Sequence, residues 1–332
     1  MRILLTTTSY QDTPGPHHDL LAASGFEVIR ARGPLPEKDM LELVRAGDTN
    51  DPEGPGIDGL LNGDDQITAR VIDAALPRLK VISKYGIGLD SIDVVHATEK
   101  RIPVLFTPGV NHTTVAEHAL GLMIALSKHF WPHIRDTKRG QWKRATGHEL
   151  AGKTLAVLGM GRIGKEVIIR ARAFNMLPVA FDIYWDDAFA NEHGVRRAAT
   201  AEEAIKGADI ATLHMNLTEQ NRGFIDRHRI ALLNPGAIVI NTARGGLVNE
   251  LDVAEACRDG RLGGYGGDVL EHEPIRAPHP FLDLDNIIIT PHVASRTFES
   301  VARQAMRATQ NLVNFLTAQE DFVQANPFPA NP

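Results

Sequence analysis

Short apolar runs recur along the whole chain, each separated from the next by a longer amphipathic or Gly/Pro-rich stretch. Strands covered by helices on both faces read this way, so the pattern predicts α/β units around parallel sheets. In the N-terminal part the strand candidates are residues 3–7, 27–31, 59–61, 79–83 and 104–106. They suffice for one small doubly wound domain. After Thr107-Pro108-Gly109 the texture changes. The stretch TTVAEHALGLMIALSK, residues 113–128, is apolar on most faces and predicts a largely buried helix. Thr113 or Thr114 with Glu117 offers a capping box at its start.

A polar, Trp-containing stretch over residues 130–144 follows, and a new strand–turn–helix begins at Lys153. Further strands are expected at residues 179–182, 210–214, 237–241, 265–269 and 287–290. An amphipathic helix over residues 297–316 comes last, and the tail NPFPANP after it reads as poorly ordered. No strand follows that helix, so a return to the first domain is one option the sequence leaves open.

Length and composition narrow the picture. A chain of 332 residues exceeds one ordinary core, which favours two domains. Hydrophobic residues at 43% and charged residues at 23% fit an ordinary globular protein. A formal charge of −6 argues against a nucleic-acid partner, and no apolar run approaches the roughly 20 residues needed to cross a membrane. The short N-terminal apolar run has no small-residue cleavage site after it, so no signal peptide is expected. Cys257 is the single cysteine. No internal disulfide can form, a reducing, cytoplasmic setting is expected, and Cys257 reads as a buried structural residue.

The segment after Lys153 carries the first chemical signal. TLAVLGMGRIGK is an apolar run followed by Gly159-x-Gly161-x-x-Gly164, and a helix-like run, KEVIIRARAFN, comes next. Gly159 suits a tight turn, Gly161 a close approach of pyrophosphate, and Gly164 the packing of helix on strand. A pyrophosphate would rest on the N-terminus of the following helix. Asp182, at the end of VAFDIY, stands where a carboxylate can accept from ribose hydroxyls. With no Arg or Lys close after it, NAD is expected rather than NADP.

Three later segments each put a reactive group at an expected strand end. IVINTARGG carries Arg244, GGYGGDVLEHEP carries Asp268 and Glu273, and NIIITPHVAS carries His292. Oxidation of a hydroxy acid needs this set. Arg244 can grip a carboxylate and polarise the C2 oxygen, His292 can exchange a proton with that oxygen, and Glu273 can orient the imidazole. The other histidines read as structural: His17-His18 as solvated loop, His118 and His129 as packing or interface. His272 lies between Glu271 and Glu273, but adjacent side chains point apart, so no metal is expected.

In family order, KYGIGLDSID, VAEHALGLM, GKTLAVLGMGRIG, NTARGGLVNE, GGDVLEHEP and TPHVAS resemble the D-isomer-specific 2-hydroxyacid dehydrogenases. The resemblance implies two doubly wound parallel-sheet domains, a Rossmann NAD-binding domain at residues 107–296 inserted into a flavodoxin-like substrate domain at residues 1–106 and 297–332. It also implies that Arg244, Glu273 and His292 are catalytic and that Asp268 holds the nicotinamide carboxamide. The Gly86-Ile87-Gly88 backbone would receive the substrate carboxylate. Arg162 and Ile163 would lie at the pyrophosphate, Thr242 and Ala243 near the nicotinamide, and Thr114 beside the cofactor. A homodimer is implied, with residues 113–144 in its interface. Asn216 and Asn221 depart from the Pro and Thr frequent in the family. The chain ends soon after the last helix, so no C-terminal regulatory domain is expected. Leu61-Asn62-Gly63-Asp64-Asp65 is acidic, which disfavours a phosphorylated acid and favours glyoxylate or hydroxypyruvate, although Lys84 could supply charge. The rival readings are an NAD(H)-sensing corepressor-like binding protein and oxidation of a one-centre anion, formate or phosphite.

Overall fold

A computed structural model describes residues 1–45 and 56–328. The chain divides into two units, Met1–Asn111 with Arg296–Pro332, and His112–Ser295. The first contains β1 (Arg2–Leu5), β2 (Glu27–Arg30), β3 (Gly59–Asn62), β4 (Val81–Lys84) and β5 (Val104–Leu105). They form a sheet in the order β2-β1-β3-β4-β5, parallel throughout. Successive strand residues point to opposite faces, so Leu4, Leu60 and Ile82 enter one core cluster while Ile3, Leu5, Leu61 and Val81 enter another.

The last helix, Phe298–Leu316, covers the second of those faces. Thr297 caps it, its hydroxyl accepting from the Ser300 N–H at 3.2 Å. Ala305, Ala308 and Leu312 are buried at helical spacing and join Ile3, Leu5 and Leu61. Beyond the helix the chain does not drift into solvent. Gln324 bridges Leu105 in antiparallel fashion. Buried Asn326 accepts from Val104 N at 2.7 Å and donates to the Ile102 carbonyl at 3.0 Å. The tail expected to be poorly ordered is thus fastened at its start, because one amide side chain satisfies the edge of β5. Residues 329–332 lie outside those described.

His17 also overturns its expectation as solvated loop. Pro16 begins a helix, Pro16–Ala23, a position where its missing N–H costs nothing, and His17 is fully buried. Its Nε2 lies 3.1 Å from the Tyr10 carbonyl.

The second unit holds β6 (Thr154–Leu158), β7 (Leu177–Phe181), β8 (Arg196–Arg197), β9 (Ile210–Leu213), β10 (Ala237–Asn241), β11 (Leu262–Gly267) and β12 (Ile287–Ile289). Their order is β12-β11-β10-β9-β6-β7-β8, again parallel. The winding reverses between β6 and β9, and open α/β sheets bind ligands beyond the strand ends at such a point. Two exposed arginines form β8, which no apolar run could announce. β11 starts at Leu262 rather than residue 265, because Gly263 and Gly264 hide it. A Cβ at Gly264 would sit 2.9 Å from the Leu126 side chain, so the glycine lets a buried helix, His112–Ser127, press on the sheet. That helix begins at His112. Thr113 and Thr114 therefore lie inside its first turn, and the expected capping box does not form. A further helix, Phe130–Lys138, occupies the polar stretch for which none was expected.

Candidate active site

The glycine turn follows β6 and feeds the helix Arg162–Ala173, with Gly161 at the N-cap. Its three glycines answer different demands. Gly159 has φ +98°, and a Cβ there would meet the His214 carbonyl oxygen at 2.6 Å. A Cβ on Gly164 would collide with the Gly159 carbonyl. Nothing stands within 4 Å of a Cβ on Gly161. The protein itself therefore requires the outer two, while the third leaves open space at the N-cap where a ligand could approach. Arg162 is exposed in the first helical turn, while Ile163 packs toward a core cluster and leaves its backbone to the turn.

Asp182 comes directly after β7. Its carboxylate accepts from Met160 N at 2.5 Å and Tyr184 N at 2.7 Å, tying the strand end to the glycine turn. Buried Thr114 lies in the first turn of the His112–Ser127 helix. At the end of β10, Thr242 is 9% exposed and its hydroxyl is buried without a hydrogen-bond partner among the described residues. Ala243 packs beside the core. An open glycine cradle at a helix N-terminus, a carboxylate at the next strand end and an orphaned hydroxyl fit a dinucleotide.

The reactive set occupies the ends of three neighbouring strands, β10, β11 and β12. Arg244 follows β10, and its Nη1 donates to the Ala243 carbonyl at 2.7 Å. Asn241 holds this loop, accepting from Ala243 N at 3.1 Å and donating to the Arg244 carbonyl at 2.8 Å. A Cβ on Gly245 would overlap the Leu270 carbonyl, so the loops after β10 and β11 touch. From Leu270 the N–H donates to Glu273 Oε1 at 3.0 Å, and Glu273 Oε2 lies 2.9 Å from His292 Nδ1. Both side chains of this pair are partly exposed, His292 at 42% and Glu273 at 38%. Because a carboxylate faces Nδ1, that nitrogen carries hydrogen, and Nε2 is the one for proton exchange.

His292 has φ +53°, a left-handed backbone that non-glycine residues adopt at a cost. Its N–H donates to the Asp268 and Thr290 carbonyls, both at 2.9 Å. Asp268, 1% exposed, takes the Thr290 hydroxyl at 2.5 Å, Val293 N at 2.9 Å and Ala294 N at 2.7 Å. Sequence reasoning assigned this carboxylate to the cofactor and did not foresee that it organises the turn carrying His292. His118, taken for packing or interface, stands 2.9 Å from the Thr290 hydroxyl, and the signal for it was helical spacing, one turn beyond Thr114.

In the first unit, residues 86–88 follow β4. Gly86 has φ +138°, and its N–H donates to the Thr107 hydroxyl at 3.1 Å. Ile87 is 36% exposed and Gly88 is partly buried. The loop after β3 is less acidic than its sequence. Asp65 is fully buried and structural, and Asp64 is paired at 2.7 Å with Lys84, whose side chain is 3% exposed. Asn221, one of the two departures, accepts from Thr218 N at 2.7 Å and donates to the Asn216 carbonyl at 2.8 Å, closing a turn. Cys257 is buried, and burial pushes its thiol up to about 12. Among the described residues no group of three His, Cys, Asp or Glu could hold a metal, and no helix is long and apolar enough to cross a membrane.

Two parallel sheets, a glycine turn at a switch point and an Arg, Glu and His on neighbouring strand ends define a dinucleotide-binding α/β protein with an acid–base site. The family model described as D-isomer specific 2-hydroxyacid dehydrogenase, NAD binding domain, matches residues 120–294. A D-3-phosphoglycerate dehydrogenase of Methanocaldococcus jannaschii is 40% identical over 276 residues, 82% of this chain and 50% of its own length. A hydroxypyruvate reductase of Thermotoga maritima is 39% identical over 253 residues, 74% of this chain and 80% of its own. The crystal structure of a Thermus thermophilus protein matches with TM-score 0.87 at 35% identity, covering 98% of this chain and 100% of that one. The chain belongs to the D-isomer specific 2-hydroxyacid dehydrogenase family. It spans about half the length of the phosphoglycerate dehydrogenase it matches.

Proposed function

We propose that the protein is an NAD-dependent dehydrogenase working between C2 of a small D-2-hydroxy acid and its 2-keto acid. The His292–Glu273 pair at 2.9 Å carries this reading, since it sets one imidazole nitrogen for proton exchange beside a loop bearing Arg244. NAD supplies the two-electron hydride chemistry, held by residues 159–164 with Arg162 and Ile163, and by Asp182, Thr114, Thr242, Ala243 and Asp268. Asp182 favours NAD because its carboxylate would repel a 2′-phosphate. Arg244 grips the acid's carboxylate and polarises the C2 oxygen, and the backbone of Gly86, Ile87 and Gly88 is its proposed second receiver. His292 takes the hydroxyl proton at Nε2, or returns it to the keto oxygen, while Glu273 steadies the imidazolium. Residues 1–106 with 297–332 serve as the substrate domain, and residues 107–296 as the NAD domain.

Glyoxylate and hydroxypyruvate are the proposed acids. Lys84 is committed to Asp64 and to the Gly63 carbonyl, at 2.7 and 2.5 Å, which leaves the loop after β3 poorly suited to a phosphate. A homodimer in the cytoplasm is proposed as the working form. Phe130, Trp131, Ile134 and Trp142 are 46, 50, 49 and 75% exposed, an apolar surface that a partner copy would cover. Light scattering giving one chain's mass would end that part of the reading.

The test of function is NADH consumption with glyoxylate, hydroxypyruvate, pyruvate and phosphohydroxypyruvate, beside H292A. Turnover of an unphosphorylated acid, lowered on the order of 10²–10⁴-fold in the variant, is expected. Binding of NADH without turnover of any acid would overturn it.

A further inference from the structure

His118 has no part in the reaction proposed above, yet it ends a chain of hydrogen bonds that reaches the turn bearing His292. We propose that His118 is a positioning residue for the reaction, donating from Nε2–H to Thr290 and so locking the Asp268-centred turn that presents His292. The inference rests on the reaction proposed above.

The available protons set the direction of each bond in this chain. The Thr290 hydroxyl has a single hydrogen and two oxygen lone pairs. Asp268 Oδ1 lies 2.5 Å from it, against 3.5 Å for the competing Gly267 carbonyl. A buried carboxylate that already takes the N–H groups of Val293 and Ala294 is an acceptor, so the hydroxyl hydrogen goes to Asp268. At 2.9 Å from the same oxygen, His118 Nε2 must then be the donor. The other tautomer would set two lone pairs against each other in a partly buried contact, where an unsatisfied group is expensive. The resulting relay runs from His118 through Thr290 to Asp268 and on to the N–H groups of Val293 and Ala294.

That turn has reason to need a lock. Its His292 carries the left-handed backbone with φ +53°, which persists only where surrounding contacts fix it. Removing the outermost donor frees Thr290 to rotate, weakens its bond to Asp268 and lets the turn relax. His292 Nε2 then moves from its place while Arg244 and the glycine turn are untouched. A misplacement of about 1 Å can cost on the order of 10²-fold.

The experiment compares wild type, H118L and H118Q, the last keeping an N–H donor. H118L should lose about 10- to 100-fold in kcat. The thermal midpoint should stay near wild type, and H118Q should recover most of the loss. Imidazole nitrogen NMR of the wild type, with the His118 signals assigned from the variants' spectra, should report the Nε2–H form. Full activity in H118L, a loss that follows thermal midpoint alone, a loss H118Q does not recover, or an Nδ1–H tautomer would each overturn the proposal. If the wild type turns over no acid, the reaction reading fails by itself, and the tautomer still decides whether the relay exists.

Discussion

Asp65 and Asp268 are the same device in two sheets. Each follows a parallel strand, β3 or β11, and each is buried, at 0 and 1% exposure. Each takes one threonine hydroxyl and two backbone N–H groups. For Asp65 these are Thr6 at 2.5 Å, Gly63 N at 3.0 Å and Leu35 N at 2.8 Å. For Asp268 they are Thr290, Val293 N and Ala294 N. The outcome differs because of what the donors belong to. Asp65 draws together loops after β1, β2 and β3, which closes the carboxyl end of its sheet. Both of Asp268's backbone donors come from one short turn, so it bends that turn tightly and holds His292 in a left-handed backbone. A buried carboxylate is thus structural or functional according to the loop it gathers, and its burial alone does not say which.

Asparagine at each position separates the two uses. Asn keeps the size but offers an NH₂ where a donor already points, leaving buried groups mismatched. D268N should lower kcat on the order of 10²-fold, because the turn carrying His292 shifts. D65N should cost stability instead, about 1–3 kcal/mol, seen as a lower urea midpoint. It should also raise KM for the acid more than it lowers kcat, since Gly63 anchors Lys84 beneath Gly86. Equal losses of kcat in both variants would break the distinction.

The sequence showed the parallel α/β character, the glycine turn and the reactive groups at strand ends, because each is written in local spacing. What it hid follows from long-range partners. His17 reads as solvent-facing until Tyr10 is beside it, and Asp65 reads as surface acid until three loops close on it. Asn326 sits in a Pro-rich tail whose order depends on β5. β8 has no apolar residue at all, since pairing with β7 rather than burial defines it. Asp268 was assigned to the cofactor from its place after a strand, and its grip on residues 290–294 belongs to the tertiary fold.

Within the second unit the glycines offer a finer contrast. G164A forces a methyl group into the Gly159 carbonyl, and so should fold poorly or unfold several degrees lower. G161A meets no protein atom within 4 Å and should keep its thermal midpoint. Its cost should fall on NADH, with affinity lower by about tenfold, because the methyl group stands where pyrophosphate must approach. Titration of NADH binding by fluorescence beside a melting curve checks both. An unchanged NADH affinity in G161A would remove the ligand explanation for that glycine.

The smallest effect again sets one unit against the other. Burial lowers His17 in the first unit below the ordinary imidazole value, and burial lowers His214 in the second to about 3. Both therefore bind a proton less readily in the folded protein than in the unfolded chain, which protonates them near 6.5. The unfolded state therefore binds more protons below that value. The stabilising contribution of each is complete above about pH 6.5 and is lost as pH falls toward the folded values. Each full proton corresponds to on the order of 1.4 kcal/mol per pH unit. Urea midpoints should fall between pH 8 and pH 5, and H17Q and H214Q should each flatten that slope. His214 should flatten it to the lower pH, because burial carries its folded value far down. If wild type and both variants share one slope, neither imidazole is held neutral by its sheet, and the two units differ less in their interiors than their loops imply.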